Sequence, residues 1–156
     1  MGILSSFFKK PEPFNHPELG IFNPTSGNHW ISESGFSSNS IKFDQVILPG
    51  TKKGPFEESL EGLTKLRAEI ESKLSIPEVE KELTELRENY FDDEPDKLDS
   101  LASFSIWEQT QSAALFVVDD QDFQLSIAFT WQHQDDGHQI TLIFHKGEFE
   151  GATIDG

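Results

Sequence analysis

Residues 123–149 read FQLSIAFTWQHQDDGHQITLIFHKGEF, and this stretch decides the fold that the sequence predicts. Apolar residues alternate with polar or small ones from Phe123 to Trp131, and the alternation resumes from Ile140 to Phe144. A period of two is typical of a β-strand with one buried face. Asp-Gly between two such runs is a strong signal for a tight turn. The sequence therefore predicts a β-hairpin that buries one face.

The register of this hairpin follows if Asp136 and Gly137 are its two loop residues. Trp131 then lies opposite Leu142, and Phe129 lies opposite Phe144. Such apolar cross-strand pairs contribute roughly 0.2–1 kcal/mol each. A slip of one residue would turn every apolar side chain to water. The other face carries glutamine, serine and threonine, so we expect it to be wet or lightly covered.

Further strands are predicted on both sides of a helical middle segment. We expect strands over residues 19–23, 29–34 and 41–47 with short turns between them, and strands over 103–108, 113–118 and 148–154 near the C-terminus. The run ALFVV within 113–118 is continuously apolar, which is typical of a central strand buried on both faces.

Two helices are predicted in the middle of the chain. Leucines, Phe56 and Ile70 recur at a spacing of three to four over residues 55–75, and Pro55 suits a first helical turn. Ser75 followed by Glu78 matches a capping box, which predicts a second helix from there to Tyr90. An acidic loop over residues 92–96 then ends it.

These elements predict an α+β fold, with an antiparallel sheet from an N-terminal meander and C-terminal hairpins and two central helices packed on one face. We expect residues 1–16 to be a lead-in and residues 17–156 to form a single domain, because 156 residues suffice for one sizeable core. With 14 Phe and 3 Trp, that core should be aromatic. There is no Cys, which excludes disulfides, thiolate metal sites and a cysteine nucleophile and fits a reducing compartment.

The N-terminus, MGILSSFFKK, lacks the features of a cleaved signal peptide, and no apolar run is long enough to predict a transmembrane span. It does match the Met-Gly-x-x-x-Ser pattern of N-myristoylation at Gly2, with two lysines as a second membrane signal. The alternative is a short amphipathic turn that packs against the rest of the protein.

Charge is the most unusual property of the chain. The net charge is −16, and residues 55–99 alone hold 6 basic and 15 acidic residues. Phosphate binding requires clustered Lys and Arg, so we do not expect nucleic acid as a ligand. A basic protein partner is the natural complement of the acidic segment, and the alternative is that the charge serves solubility alone. The expected partner-binding residues are Glu57, Glu58, Glu61, Glu78, Glu82, Glu85, Asp92, Asp93 and Glu94.

Catalytic and cofactor motifs are missing from the sequence. There is no Gly-rich phosphate loop, no G-x-S-x-G and no H-E-x-x-H, so we expect no cofactor and favour a protein without enzymatic activity. The alternative is a small enzyme or metal-binding domain that uses His133, Asp135, Asp136 and His138 at the hairpin tip. In the register above, the two histidine side chains diverge, which argues against a metal there.

The order of parts resembles a known class of proteins. Leu19-Gly20-Ile21-Phe22 and Trp30 precede an acidic helical segment ending in Tyr90, and Trp131, Asp136-Gly137-His138 and Phe144 follow. Over residues 17–150 this arrangement is similar to small bacterial domains of unknown function found among the immunity proteins of polymorphic-toxin systems. The resemblance implies a cytoplasmic protein that binds and blocks a cognate, basic toxin. The resemblance assigns no specific site residues to this sequence.

Overall fold

The computed structural model describes residues 12–132 and 138–155 of the chain. Gly2, the proposed acylation site, and the predicted Asp136-Gly137 turn lie outside these ranges. The described strands are β1 (Phe14–His16), β2 (Gly20–Pro24), β3 (His29–Ser32), β4 (Phe36–Ser37), β5 (Lys42–Phe43), β6 (Gln45–Thr51), β7 (Gly54–Pro55), β8 (Thr110–Val117), β9 (Phe123–Phe129), β10 (Gln139–His145) and β11 (Glu148–Asp155). The described helices are α1 (Glu57–Leu74), α2 (Pro77–Tyr90), α3 (Pro95–Ala102) and a 3-10 helix (Ile106–Gln109).

The main sheet has the strand order β1-β2-β3-β6-β8-β9-β10-β11, with β7 paired to β6. All of its pairings are antiparallel except that of β6 with β8. A parallel pair needs a long crossover, and here α1 to α3 supply it. The predicted α+β fold is confirmed. The last residues of the predicted lead-in form β1, so they belong to the sheet.

One face of the sheet is buried beneath the helices. In β9, Phe123, Leu125, Ile127 and Phe129 are buried while the residues between them are not, as the period of two predicts. The apolar stripe of α1 packs on this face; its buried members are Leu60, Leu63, Leu66, Ile70 and Leu74. β8 is central, but it is fully buried on this side only. The prediction that it is buried on both faces is therefore wrong.

The predicted register of the β9–β10 hairpin is wrong by six residues. Leu142 lies opposite Leu125 rather than Trp131, and Phe144 lies opposite Phe123. β9 ends early because the amide group of Phe129 donates to the Gln132 side chain at 2.9 Å, and Trp131 stacks on the Phe129 ring. Six is an even number, so each side chain keeps its predicted face.

The last hairpin follows the sequence closely. β10 and β11 are joined at Lys146 and Gly147, whose φ values are +54° and +81°. Positive φ at both central residues is what a type I′ turn requires, and glycine adopts it without strain. The predicted strand over residues 148–154 is confirmed as β11.

The predicted third strand is broken at Asp44 into β5 and β6. The Asp44 carboxylate accepts the Ala113 N–H at 3.1 Å, and the Asp44 N–H donates to the Ala113 carbonyl at 2.9 Å. These bonds to β8 hold the chain where it leaves the short β4–β5 hairpin and enters the main sheet. A contact across 69 residues cannot be read from local alternation.

Two predictions near the helix ends are also wrong. Ser75 does not cap α2; it ends α1, and its hydroxyl donates to the Glu71 carbonyl at 2.6 Å. Ile76 precedes α2 instead, and Pro77 opens the helix. The strand expected over residues 103–108 is replaced by the 3-10 helix, and α3 follows the acidic loop unpredicted.

Gly62 allows α1 to approach the loop between β8 and β9. A Cβ atom on Gly62 would lie 2.6 Å from the Asp119 Cα and the Asp120 nitrogen. Alanine favours helix by about 1 kcal/mol over glycine, but we expect Gly62→Ala to lower the free energy of unfolding by about 1–3 kcal/mol, because backbone atoms must shift. Urea unfolding measures the change.

Ala68→Gly is the matched control, because Ala68 is exposed on the same helix. It should cost about 1 kcal/mol through helix propensity alone. A stabilised Gly62→Ala protein would contradict the close packing of α1 on this loop.

Candidate functional site

The acidic residues expected to bind a partner lie in three separate groups. Eight of the nine are exposed and Glu82 is half-buried. Glu57, Glu58 and Glu61 lie in the first turns of α1, Glu78, Glu82 and Glu85 on one side of α2, and Asp92, Asp93 and Glu94 between α2 and α3. α1 packs on β6 and β8, whereas α2 packs on β11 and the 3-10 helix. The structure therefore does not merge them into one continuous site.

The first group borders a groove between the N-terminal end of α1 and the β1–β2 hairpin. The groove has a volume of about 800 Å³. Its apolar lining comes from Phe14, Pro17, Pro55 and Leu60, and its carboxylates are Glu18, Glu57 and Glu61. Lys65 is the one cationic side chain that lines it among the described residues. This is the place where an acidic group of the chain meets an apolar depression, and we call it the α1–β1 groove.

Local hydrogen bonds hold both walls of the α1–β1 groove. The His16 Nδ1 accepts the N–H groups of Glu18 and Leu19 at 3.1 and 3.0 Å, which fixes the turn that carries Pro17. On the other wall, the Ser59 hydroxyl donates to the Val118 carbonyl at 2.7 Å and anchors the first turn of α1. Phe56, just before that turn, leaves 40% of its surface exposed.

The carboxylates of the α1–β1 groove have no cationic partner within the described residues. The two ion pairs found there are Lys97 with Glu94 at 3.2 Å and His145 with Asp122. Glu57 and Glu61 are one helical turn apart, where like charges disfavour the helix by roughly 0.2–0.5 kcal/mol. Among the described residues, the groove therefore holds three carboxylates against one lysine, and none of the three forms an ion pair.

Glu82 has a structural role that distinguishes it from the other eight. Its carboxylate accepts the Ala152 N–H at 3.0 Å, and a Cβ atom on Gly151 would lie 3.3 Å from the same oxygen. β11 is an outer strand, so its outward N–H groups need partners from beyond the sheet. Glu82 supplies one, and α2 thereby covers this edge.

The four described histidines do not gather into one centre. His29 packs against the Phe116 ring at 5.6 Å, His145 pairs with Asp122, and His16 accepts backbone N–H groups. His138 is exposed, while His133, Asp135 and Asp136 lie outside the described residues. Within the described ranges, no group of three or more His, Asp or Glu side chains could hold a metal ion.

Two carboxyl groups of the described residues have lowered pKa values, and neither belongs to the expected binding residues. The backbone N–H of Lys146, then the His145 side chain, lower the pKa of Asp122. The Ser40 hydroxyl is the main cause of the lowered pKa of Glu71. Both carboxylates join distant segments, because Asp122 contacts the β10–β11 turn and Glu71 holds the β4–β5 hairpin against α1.

The apolar part of the α1–β1 groove was not predicted from sequence. Phe14 lies in the stretch interpreted as a lead-in, and Leu60 was assigned only to the stripe of α1. Phe56 is predicted as part of the apolar stripe of α1, but it precedes the helix and is 40% exposed, so that prediction is wrong for Phe56.

No protein-family model, curated protein or solved structure matches the chain. Among the helices of residues 12–132 and 138–155, none combines the length and apolar character needed to cross a membrane.

The bond between Glu71 and Ser40 predicts a pH-dependent contribution to stability. The folded-state pKa of Glu71 lies below its ordinary value of 4.5, so the contribution is present above that pH and is lost as pH falls through the folded-state pKa. We expect Ser40→Ala to be less stable than the unmodified protein near neutral pH, and the difference to narrow towards about pH 3.

Urea unfolding at both pH values measures this difference. Ser37→Ala, an exposed serine in the same hairpin, is the control and should change stability little at either pH. A Ser40→Ala defect of equal size at both pH values would show that the ionised Glu71 carboxylate does not contribute.

Proposed function

We propose that the protein is a non-enzymatic binding protein that presents an acidic surface to a basic protein partner. The observation that carries this proposal is the set of exposed carboxylates without a cationic partner among the described residues. Seven of the nine expected binding residues belong to this set: Glu57, Glu58, Glu61, Glu78, Glu85, Asp92 and Asp93. Such a field steers a basic partner towards the surface and accelerates association.

The α1–β1 groove is the proposed anchor of that surface. Specific protein interfaces take most of their affinity from a few apolar or aromatic side chains buried in pockets, while surrounding charges set orientation and on-rate. The groove offers both features, an apolar floor with Phe14 and Leu60 and a rim with Glu57 and Glu61. A basic segment that inserts one large apolar side chain fits this arrangement.

The most specific form of the proposal is an immunity protein that blocks a nuclease-type toxin in the bacterial cytoplasm. A nuclease must itself be basic, because it neutralises phosphate charges with Lys and Arg. An acidic protein that occupies such a surface excludes the substrate by competition. The resemblance to toxin-immunity domains and the negative surface of α1 and α2 both support this form.

A small enzyme or metal-binding domain at residues 133–138 is the alternative from sequence. Most of its residues lie outside the described ranges, and no observation on the described part of the chain favours it.

The test begins with affinity capture from the native lysate, followed by purification of the captured protein and calorimetric titration at about 50 and 500 mM salt. Salt screens charges over a distance of about 10 Å at 0.1 M ionic strength, so binding should weaken markedly at the higher concentration. The triple variant Glu57→Gln, Glu58→Gln, Glu61→Gln should bind at least about tenfold more weakly, equivalent to about 1.4 kcal/mol.

The matched control is Glu80→Gln, Glu88→Gln, Glu108→Gln, which removes the same charge from exposed positions on α2 and the 3-10 helix that are not among the expected binding residues. We expect it to weaken binding much less than the α1 triple variant. Equal losses in both variants would indicate a diffuse field and would remove the groove as the anchor. A basic partner whose affinity changes with neither salt nor these substitutions would contradict the proposed function.

A further inference from the structure

The face of the sheet opposite the helices is built from a continuous band of neutral side chains. The strand registers place Ile31, Ile47, Phe116, Gln124 and Ile143 side by side across β3, β6, β8, β9 and β10. The isoleucines and Phe116 are half-buried, and Gln124 is exposed. Within the described residues, no helix packs on this side. We call this surface the open face.

In β2, β3, β6, β8, β9 and β10, the described strand positions of the open face hold no Asp, Glu, Lys or Arg, although His29 and His145 lie on it. Lys42 is exposed in the separate β4–β5 hairpin. In β6, β8 and β9 the residues of the open face are Gln45, Ile47, Pro49, Thr51, Ser112, Ala114, Phe116, Gln124, Ser126 and Ala128. The chain as a whole is 26% charged, so a neutral surface of this extent departs strongly from the composition. Acidic side chains appear at its rim, where Asp122 and Glu150 flank Phe116 and Ile143.

The edges of the sheet are poorly suited to pairing with another chain. α2 covers β11 through the bond from Ala152 to Glu82, and β1 at the other edge has only three residues. Short or covered edges prevent edge-to-edge association. A further protein can therefore meet this sheet through its open face more readily than through its edges.

The size of the open face suits a protein interface. Strands lie about 4.8 Å apart and rise about 3.3 Å per residue, so β2 to β10 cover about 600 Å² in projection. The pleat and its side chains enlarge the accessible area beyond that projection. The result approaches the roughly 800 Å² that each partner buries in an interface of standard size.

We propose that the open face is a symmetric dimer interface with a second copy of this chain. A basic partner gains no ion pairs on this neutral surface, whereas a second copy presents an equally flat and neutral one. Two molecules of net charge −16 repel each other, and they approach with least repulsion when their charged helical sides point apart. Face-to-face packing of two sheets about 10 Å apart achieves this arrangement.

Salt distinguishes this interface from the proposed partner-binding surface. Screening reduces the repulsion between two negative protomers, so added salt should strengthen the dimer. The same salt weakens the attraction between the acidic surface and a basic protein. The dimer and the proposed function can therefore fail independently.

Sedimentation equilibrium over a range of protein concentrations tests the dimer. We expect a mass of twice 17.6 kDa at high concentration, and a tighter dimer at about 500 mM than at about 50 mM NaCl. Gln124→Glu places like charges in the interface and should raise the dimer dissociation constant at least tenfold. Because Gln124 is exposed, the thermal unfolding midpoint of the Gln124→Glu protein should stay close to that of the unmodified protein once the loss of the dimer is corrected for.

Gln121→Glu is the matched control, because the same substitution falls on an exposed loop residue outside the open face. It should leave the dissociation constant within about twofold. A protein that is still monomeric at a protein concentration of about 1 mM overturns the proposal, because its dimer dissociation constant would then lie well above that concentration. Equal effects of the two substitutions, or a dimer that salt weakens, overturn it as well.

Discussion

The packing of α1 on the alternating face of the central strands is the contact on which the rest of the structure depends. Leu63, Leu66 and Ile70 lie over the buried side of the sheet, and Gly62 brings the helix against the β8–β9 loop. Each buried leucine or isoleucine side chain contributes about 1.5–3 kcal/mol through removal from water. This one contact gives the sheet a dry face and a wet face, and it turns the charged side of α1 towards solvent.

The sequence predicts this layer well because both partners carry their own periodicity. The spacing of three to four in residues 55–75 corresponds to α1 within two residues at either end, and the spacing of two in residues 123–131 corresponds to β9 except for its last two residues. The predicted strand boundaries are wrong where a contact with a distant residue sets the end of a strand. Asp44 breaks a strand because it bonds to Ala113, and Trp131 shortens β9 because it packs between Phe129 and Tyr90. Ala113 and Tyr90 are distant in sequence from Asp44 and Trp131, so a local pattern does not show these contacts.

The candidate site shows the same division. The carboxylates of α1 and their exposure follow from the helical pattern, because residues opposite an apolar stripe face water. The α1–β1 groove does not follow from the helical pattern, because it requires Phe14 and Leu60 to line one depression although they are more than forty positions apart in sequence. The open face also depends on register, since only the pairing of β3, β6 and β8 places Ile31, Ile47 and Phe116 in one row.

The sheet thus separates two kinds of surface by their charge, and this separation bears on how the protein could hold two partners at once. In the proposed function, the carboxylates on α1 and α2 would attract a basic protein at long range, and they would repel a second copy. The open face lies on the other side, so a dimer formed there directs both acidic surfaces outwards and leaves both α1–β1 grooves accessible. A basic partner that binds one protomer also neutralises part of the charge that opposes dimer formation. The two interactions therefore favour each other through electrostatics, without any change in the conformation of the sheet.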